Sequence, residues 1–221
     1  GCVLPAGLGQ APARQAAIGA GIPSSSGATT INKMCGSGMK SIMFGHDSIK
    51  AEQNKVVIAG GIENMTNAPY ILSKVRKGIR MGHSEVKDHM FLDGLEDAYE
   101  EGKLMGSFAE DTAEHYQFSR EEQDNFSIDS LQKAKKANEK GFFKEEIVEV
   151  SILTKKKTEI INQDEQPFKA NIEKIPQLKP AFRKNGTVTA ANSSSISDGA
   201  STVILMKEST ADKKGIKPLA R

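Results

Sequence analysis

Cysteine is scarce in this chain: its 221 residues include two, Cys2 and Cys35. So few cysteines exclude a dense disulfide framework and favour a reducing compartment. No apolar run approaches the roughly 20 residues that a membrane-spanning helix needs, so no membrane segment is expected. Neither sign of charge dominates, because 30 Lys and Arg residues offset 28 Asp and Glu residues. This balance argues against a basic surface for nucleic acid or anionic membranes.

The first 65 residues are rich in glycine and alanine and low in charge, which is typical of a tightly packed α/β core. Residues 13–22 predict a short helix ended by glycine. The β-branched run of residues 28–34 predicts an extended segment, and the apolar run of residues 55–61 predicts a buried strand. Two strands with a helix between them predict a βαβ unit with a parallel sheet.

Charge rises from residue 66 onwards, and glycine becomes less frequent. Ser119 and Glu122 form the spacing of a capping box, so a helix is expected to start there and to end near Gly141. Its apolar side is predicted to consist of Phe126, Leu131, Ala134 and Ala137. The following sequence, "EIVEVSIL", alternates as a strand does, and Lys155, Lys156 and Lys157 predict an exposed turn.

The low-charge composition returns at residue 187 with "TVTAANSSSISDGASTVILM", whose last part predicts another buried strand. The order of core-like, charged and again core-like sequence predicts an α/β fold in which an α+β domain is inserted into a core domain. The predicted bounds are 1–65 for the core, 66–186 for the inserted domain and 187–221 for the return to the core.

Cys35 stands between an extended segment and a predicted helix in the sequence "INKMCGSGMKS". The positive end of a helix dipole favours a thiolate, and Gly36 and Gly38 allow a sharp turn and close approach of a substrate. The arrangement is analogous to the strand-nucleophile-helix turn of hydrolases. A small buried hydrophobe is the alternative, since cysteine is among the most buried residue types. Cys2 is expected to be structural.

A cysteine nucleophile needs a base, and none of the four histidines has a sequence context that identifies it as one. His46 falls within the helix after Cys35, His83 and His89 fall in a charged segment that predicts a mobile loop, and His115 is expected on a helix surface. Neither a metal-ligand spacing, a P-loop nor a dinucleotide-binding fingerprint is present in the sequence.

Several segments in the same order resemble the thiolase family, and specifically its acetyl-CoA acetyltransferase branch. They are "GQAPARQA", "NKMCGSGMKS", "AGGIENMTNAPY", "DGLEDAY", "LMGSFAED", "LKPAFRKNGTVTAANSS" and "SDGASTVILM". The resemblance runs from the first residue to the last. It implies the thiolase fold, layered αβαβα in the intact protein, with the inserted segment as the loop domain that holds coenzyme A (CoA).

The resemblance assigns site residues position by position. Cys35 matches the cysteine that takes the acetyl group as a thioester, and the backbone N–H groups at the helix start, Gly36 included, match oxyanion donors. Ser194 matches a contact to the pantetheine of CoA, and Lys174 matches a cationic contact to its nucleotide end. The positions that match the lining of the CoA channel are Leu95, Met105, Phe182 and Ala190.

The implied reaction is the Claisen condensation of two acetyl-CoA molecules to acetoacetyl-CoA and CoA, or thiolysis in reverse. CoA thioesters are then substrates, and no cofactor or metal is expected; Leu131 stands where a potassium-activated relative has a tyrosine ligand. A homotetramer or homodimer is implied. The alternatives are a 3-ketoacyl-CoA thiolase for longer chains and a non-catalytic remnant that binds CoA; a redox-sensing Cys35 is disfavoured because no resolving cysteine is near.

The chain departs from the family pattern in what it does not include. The family's Gly-His-Pro and Asn-Glu-Ala-Phe motifs and its second cysteine are absent, as is the opening strand, so the sequence is expected to be a fragment that is inactive alone. Leu104-Met105-Gly106 replaces the His-Met-Gly of many relatives, next to a segment one residue longer. A cytoplasmic location is expected, with a mitochondrial one left open.

Overall fold

A computed structural model describes residues 1–155 and 157–221. These residues form two compact units, one of Gly1–Lys103 with Ile196–Arg221 and the other of Leu104–Ser195. Residues 66–103 thus cluster with the first unit. That residues 66–186 form an inserted domain that binds CoA stays a prediction. Lys155 and Lys157 are exposed, as expected of a turn, and Lys156 lies outside the described residues.

The described residues contain both helices and strands along their whole length. In chain order they are α1 (Pro12–Gly19), α2 (Ser37–Lys50), β1 (Val56–Asn64), β2 (Tyr70–Leu72), β3 (Val86–Asp88), α3 (Met105–Tyr116), α4 (Arg120–Glu139), β4 (Val150–Leu153), β5 (Thr158–Ile161), α5 (Gln166–Lys169), β6 (Asp198–Met206) and α6 (Glu208–Lys213). Short 3₁₀ turns occupy Val75–Lys77 and Ile172–Gln177, and a π-helical turn occupies Phe91–Leu95.

The main sheet of the first unit pairs β1 with β6 in antiparallel register, from Val56 opposite Met206 to Asn64 opposite Asp198. The predicted parallel βαβ sheet is therefore wrong for the described residues. Residues 28–34 form no strand, although the Ile31 carbonyl accepts a hydrogen bond from the Cys2 N–H at 3.0 Å. An apolar run specifies a strand but carries no information about its partner's direction, which a segment far along the chain decides.

The predicted strands at residues 55–61 and 201–206 are present, but they are less buried than predicted, although Ala59 on β1 is 6% exposed. Ile58 on β1 is 52% exposed and Ile204 on β6 is 64% exposed. Within this unit α2 covers one face of β1: Val57 and Gly61 contact the helix and, being four residues apart, share a face of the strand. Short apolar runs indicate a strand without revealing how many of its faces are covered.

Glycines allow α2 to lie close against the sheet. A Cβ on Gly61 would lie 3.2 Å from the Gly38 Cα, and a Cβ on Gly45 would lie 2.8 Å from Leu205 Cδ1. The Ser41 hydroxyl adds a polar contact, accepting from the Gly60 N–H at 2.9 Å. The helix predicted after Cys35 is confirmed, and these contacts determine where its first turn lies.

The second unit contains the helix predicted from the capping box. The Ser119 side chain accepts from the Glu122 N–H, and the Glu122 carboxylate accepts from the Ser119 N–H at 2.8 Å. Gly141 follows the helix with φ 70°, so both predicted ends are confirmed. The packed side of this helix differs from the prediction at one residue. Phe126 is 78% exposed, whereas Asp124, two residues earlier, is buried.

The strand predicted within "EIVEVSIL" is present as β4, which pairs antiparallel with β5 from Val150 opposite Ile161 to Leu153 opposite Thr158. All four residues of β4 are exposed. In the first unit, β2 and β3 also form an antiparallel pair. The short helix predicted at residues 13–22 is present as α1, and Gly21, with φ 77°, lies just after its end.

The close pairing of β1 with β6 makes Gly60 intolerant of a side chain. A Cβ there would lie 2.0 Å from the Ser201 carbonyl oxygen, so Gly60→Ala must shift the backbone and should lower the free energy of unfolding by about 1–3 kcal/mol. Gly199→Ala on β6 is the matched control, because nothing lies within 4 Å of the position that its Cβ would take. Urea unfolding measures both, and equal midpoints for the two variants would contradict the close approach.

Candidate active site

Cys35 lies at the turn that leads into α2, and its side chain is exposed. Met34 before it has φ 49°, a left-handed conformation that is uncommon for a residue with a side chain. The Ser37 N–H donates to the Met34 carbonyl at 2.9 Å, which closes the turn at the first residue of the helix. The backbone therefore turns sharply on both sides of the thiol.

Ser37 holds this turn together from the inside. Its side chain is buried, its hydroxyl donates to the Met34 carbonyl at 2.6 Å, and its oxygen accepts from the Lys33 N–H at 2.8 Å. The Asn32 amide oxygen accepts from the Met34 N–H at 2.9 Å. Sequence reasoning missed both supporting residues; the available signal was a small polar residue at the first position of a predicted helix.

The helix that starts beside Cys35 is 14 residues long and has no acidic residue in its first turn. No side chain caps this end either, so the positive end of the helix dipole lies next to the thiol without a counter-charge from that turn. The Gly36 N–H donates to the Lys33 carbonyl at 3.2 Å. To donate to an oxyanion, the Gly36 N–H would have to share its hydrogen between the oxyanion and the Lys33 carbonyl, or break its bond to that carbonyl.

Cys35 faces a cavity of about 340 Å³ within the first unit. Mostly small residues from the chain start, from α2 and from the paired strands form its walls. They are Gly1, Val3, Met34, Ser37, Gly38, Gly61, Ile62, Glu63, Gly199, Ala200 and Ser201. Such walls leave room beside the thiol for part of a substrate.

The second cysteine has different surroundings. Cys2 is 2% exposed, and its Sγ lies 3.7 Å from Glu63 Oε1. Burial raises the pKa of the Cys2 thiol, and the Glu63 carboxylate raises it further. The same carboxylate accepts from the Val3 N–H at 3.0 Å and the Leu4 N–H at 2.9 Å. Cys2 is therefore a buried neutral thiol in a segment that Glu63 anchors to β1.

The histidines differ from expectation in one case. His46 on α2 and His115 on α3 are exposed, as is His83. His89 is 5% exposed: its Nδ1 is 2.6 Å from Asp93 Oδ2, and its Nε2 accepts from the Ala6 N–H at 3.4 Å. The prediction that His89 belongs to a mobile loop is therefore wrong, because a carboxylate one helical turn away and a backbone N–H hold its ring.

The two units divide the predicted CoA-contacting residues. Leu95 belongs to the first unit, where it is half-buried at the end of the π-helical turn. The second unit carries the others: Met105, Lys174, Phe182, Ala190 and Ser194. Met105 begins α3 with 42% exposure, and Ala190 and Ser194 are exposed in irregular backbone. Lys174 is exposed on the 3₁₀ turn Ile172–Gln177.

Contacts within the second unit bring some of these residues together. The Phe182 ring packs on Gly106, where a Cβ would lie 2.3 Å from the ring. The Ala181 N–H donates to the Val188 carbonyl at 2.9 Å, which joins the Phe182 segment to the one that carries Ala190. Within the second unit, Phe182 therefore lies against the first turn of α3, which Met105 begins, and its segment lies beside the one that carries Ala190.

Two further properties concern the described residues as a whole. In residues 1–155 and 157–221, no group of three or more His, Cys, Asp or Glu side chains is arranged to hold a metal ion. Over the same residues, no helix is both long enough and apolar enough to cross a bilayer.

Comparisons with known proteins find similar sequences. The family model described as "Thiolase, N-terminal domain" matches residues 1–209. A probable acetyl-CoA acetyltransferase of Dictyostelium discoideum is 50% identical over 222 residues, covering 100% of this chain and 53% of that protein. An acetyl-CoA acetyltransferase of Saccharomyces cerevisiae is 47% identical, covering 100% and 56%. A probable acetyl-CoA acyltransferase of Staphylococcus aureus is 46% identical, with the same coverage.

Solved structures show the same relationship. Acat5 thiolase from Ascaris suum, in complex with coenzyme A, matches with a TM-score of 0.90 and 40% identity over 99% of this chain and 55% of that one. An acetyl-CoA acetyltransferase from Syntrophomonas wolfei matches with a TM-score of 0.91 and 38% identity, with the same coverage. The chain spans about half the length of these relatives, and the predicted fold class is confirmed. The chain belongs to the thiolase family, whose N-terminal domain it matches along almost its whole length.

Proposed function

We propose that this chain is the nucleophile-bearing part of an acetyl-CoA C-acetyltransferase. The reaction condenses two acetyl-CoA molecules to acetoacetyl-CoA and CoA, or cleaves acetoacetyl-CoA with CoA. The observation that carries the proposal is the exposed Cys35 thiol at the start of α2, facing a cavity with small walls. The names of relatives that are 47–50% identical support the choice of acetyl-CoA as substrate.

The first half-reaction loads the cysteine. The Cys35 thiolate adds to the thioester carbonyl of acetyl-CoA, which turns the carbonyl oxygen into an oxyanion. N–H groups at the start of α2 are proposed to stabilise it, and the Gly36 N–H would have to share its hydrogen with the Lys33 carbonyl or release that carbonyl to do so. Expulsion of the CoA thiolate leaves the acetyl group on Cys35 and completes the first step of a ping-pong cycle.

The second half-reaction forms the carbon–carbon bond. Removing a proton from the methyl group of another acetyl-CoA gives an enolate, which attacks the carbonyl of acetyl-Cys35. The Cys35 thiolate leaves, and acetoacetyl-CoA is released. The resemblance assigns proton removal to groups outside these residues, so this step requires more of the thiolase than the 221 residues supply.

The partners proposed for the full-length protein are acetyl-CoA, acetoacetyl-CoA and CoA, with CoA thioesters as substrates and no separate cofactor. Met105, Lys174, Phe182, Ala190, Ser194 and Leu95 are proposed to contact CoA. A homotetramer or homodimer and a cytoplasmic location, with a mitochondrial one left open, remain proposals that rest on the resemblance.

A 3-ketoacyl-CoA thiolase acting on longer chains is the second candidate. It is favoured by the relative from Staphylococcus aureus, 46% identical, that is named an acyltransferase without a stated chain length. The resemblance to thiolases supports the short-chain choice, because it also matches Met105 to a bulky residue beside the family's acyl pocket. A non-catalytic CoA-binding remnant is the third candidate, and the intact Cys35 turn argues against it.

Acetylation of Cys35 tests the proposed nucleophile. Brief exposure of the full-length gene product to acetyl-CoA should add one acetyl group that intact-mass spectrometry detects. Cys35→Ser should abolish this adduct and lower turnover by a factor on the order of 10⁴ or more, since the thioester route is lost. Cys2→Ser is the matched control and should retain the adduct, because the Cys2 side chain is 2% exposed and is not among the residues that line the cavity. A folded, CoA-binding wild type that takes no acetyl group would favour the remnant.

Chain-length preference separates the two enzymatic candidates. The full-length protein should cleave acetoacetyl-CoA with a kcat/KM about tenfold or more above that for a 3-ketoacyl-CoA several carbons longer, because a small acyl pocket excludes the longer chain. Met105→Ala should reduce this preference. A higher kcat/KM for the longer substrate in the wild type would contradict the acetyltransferase assignment.

The 221 residues by themselves should show no thiolase turnover. The expected base and second cysteine match family motifs that these residues do not contain. Acetoacetyl-CoA thiolysis, followed spectroscopically in parallel preparations of the chain and the full-length protein, measures the difference. Thiolysis by the chain alone that disappears in Cys35→Ser would show that its own residues supply the base.

A further inference from the structure

The segment of residues 187–194 has irregular backbone, yet it carries two of the residues proposed to contact CoA. Ala190 and Ser194 are exposed, while Val188 and Thr189 between Thr187 and Ala190 are buried. A segment without regular hydrogen bonding keeps one conformation only if other groups satisfy its backbone. The second unit supplies those groups from two helices.

Glu110 on α3 holds the beginning of the segment. Its carboxylate is in a side chain that is 3% exposed, and it accepts from the Thr187 and Val188 N–H groups, each at 2.9 Å. The Thr187 hydroxyl lies 3.3 Å from the same carboxylate and also accepts from Gln123 Nε2 at 2.9 Å. The carboxylate fits where Gly186 has no side chain, since a Cβ there would lie 2.0 Å from Glu110 Oε1.

Asp124 on α4 holds the middle of the segment through Asn192. Asp124 is 3% exposed and accepts from Asn192 Nδ2 at 3.1 Å and from Arg120 Nε at 2.7 Å. The Asn192 amide also donates to the Thr187 carbonyl at 3.0 Å, and its oxygen accepts from the Thr189 N–H at 2.6 Å. One side chain thus closes the segment on itself and connects it to the helix.

The same ion pair reaches the segment that carries Lys174. Arg120 donates to the Leu178 carbonyl at 2.9 Å and to the Ile175 carbonyl at 3.1 Å. These carbonyls lie at the end of the 3₁₀ turn Ile172–Gln177 and just beyond it. Arg120 and Asp124 therefore connect two stretches of proposed CoA contacts to a single helix.

The buried carboxylates of Glu110 and Asp124 both bond to the segment of residues 187–194. Burying a carboxylate is costly unless hydrogen bonds satisfy it, and Glu110 receives its bonds from the backbone of one short segment. Neither Glu110 nor Asp124 needs to touch the ligand to act on it, because both bond to the short segment that carries Ala190 and Ser194. A segment that these bonds no longer fix must be ordered when the ligand binds, and that ordering weakens binding.

We infer that Glu110 and the Asp124–Arg120 pair are positioning residues that fix the segment of residues 187–194 for binding of the CoA thioester. The inference rests on the proposed function for the identity of the ligand. It assigns no chemical step to these residues, which act through the backbone of the segment and through Asn192.

Steady-state kinetics of Glu110→Gln in the full-length protein test the inference. The amide keeps the size of the side chain but replaces one acceptor oxygen with a donor that faces a backbone N–H. The KM for acetyl-CoA and the Kd for CoA, the latter from calorimetry, should rise about tenfold or more, while kcat at saturation stays within about threefold. The rate of Cys35 alkylation by iodoacetamide should not change, because that reagent does not need the segment.

Asp129→Asn is the matched control on α4. It also removes one carboxylate, but from an exposed i,i+4 pair with Lys133 that makes no contact with the segment, so KM and Kd should be unchanged. If Glu110→Gln does not fold, Gln123→Ala decides, since it removes only the amide bonded to Thr187 and Phe118 from a half-exposed position and should raise KM by a smaller factor.

The outcomes are distinguishable. A folded Glu110→Gln or Gln123→Ala with unchanged KM and Kd overturns the inference, and so does a loss of kcat alone, which indicates fewer folded molecules rather than a displaced segment. A wild type that binds CoA but does not acetylate Cys35 refutes the proposed function instead, and the Kd for CoA then still tests the positioning role.

Discussion

The position of Cys35 depends on the close approach of the first turn of α2 to β1 at Gly38 and Gly61. A Cβ on either glycine would lie 3.2–3.4 Å from the other's backbone, tighter than ordinary van der Waals contact. Because Cys35 directly precedes this turn, the distance between helix and strand determines where its sulfur lies. The cavity beside Cys35 has walls from both elements, so its shape depends on the same contact.

The two units stabilise irregular backbone near a proposed ligand by different means. In the first, Met34 adopts the left-handed conformation of the turn before Cys35, and the buried Ser37 hydroxyl bonds to the Lys33 and Met34 backbone to hold it. In the second, the buried Glu110 carboxylate accepts the N–H groups of Thr187 and Val188, and the buried Asp124 carboxylate accepts from the Asn192 side-chain amide. The Ser37 hydroxyl makes its bonds without adding a charge at the turn, whereas the buried carboxylates of the second unit carry charge that hydrogen bonds must satisfy.

Local features were predictable from the sequence because their causes lie within a few residues. The capping box of α4, its end at Gly141 and the helix start beside Cys35 each depend on neighbouring positions and are present as expected. Periodicity was less reliable: it placed Phe126 on the packed side, although that ring is 78% exposed. An apolar residue at helical spacing indicates a side of a helix, but only the neighbouring elements show whether anything packs there.

The sequence by itself determined the family and the identity of the nucleophile candidate, because the motif around Cys35 and the segments in order after it are local and specific. Only the tertiary structure decided that β1 pairs antiparallel with β6, that His89 is buried against Asp93, and that Glu110 bonds to the backbone of residues 187–188. Neither the pairing of two distant strands nor a hydrogen bond from a distant side chain changes the periodicity of the sequence in the segments that take part. Both depend on which segments the fold brings together, and that is a property of the whole packed chain.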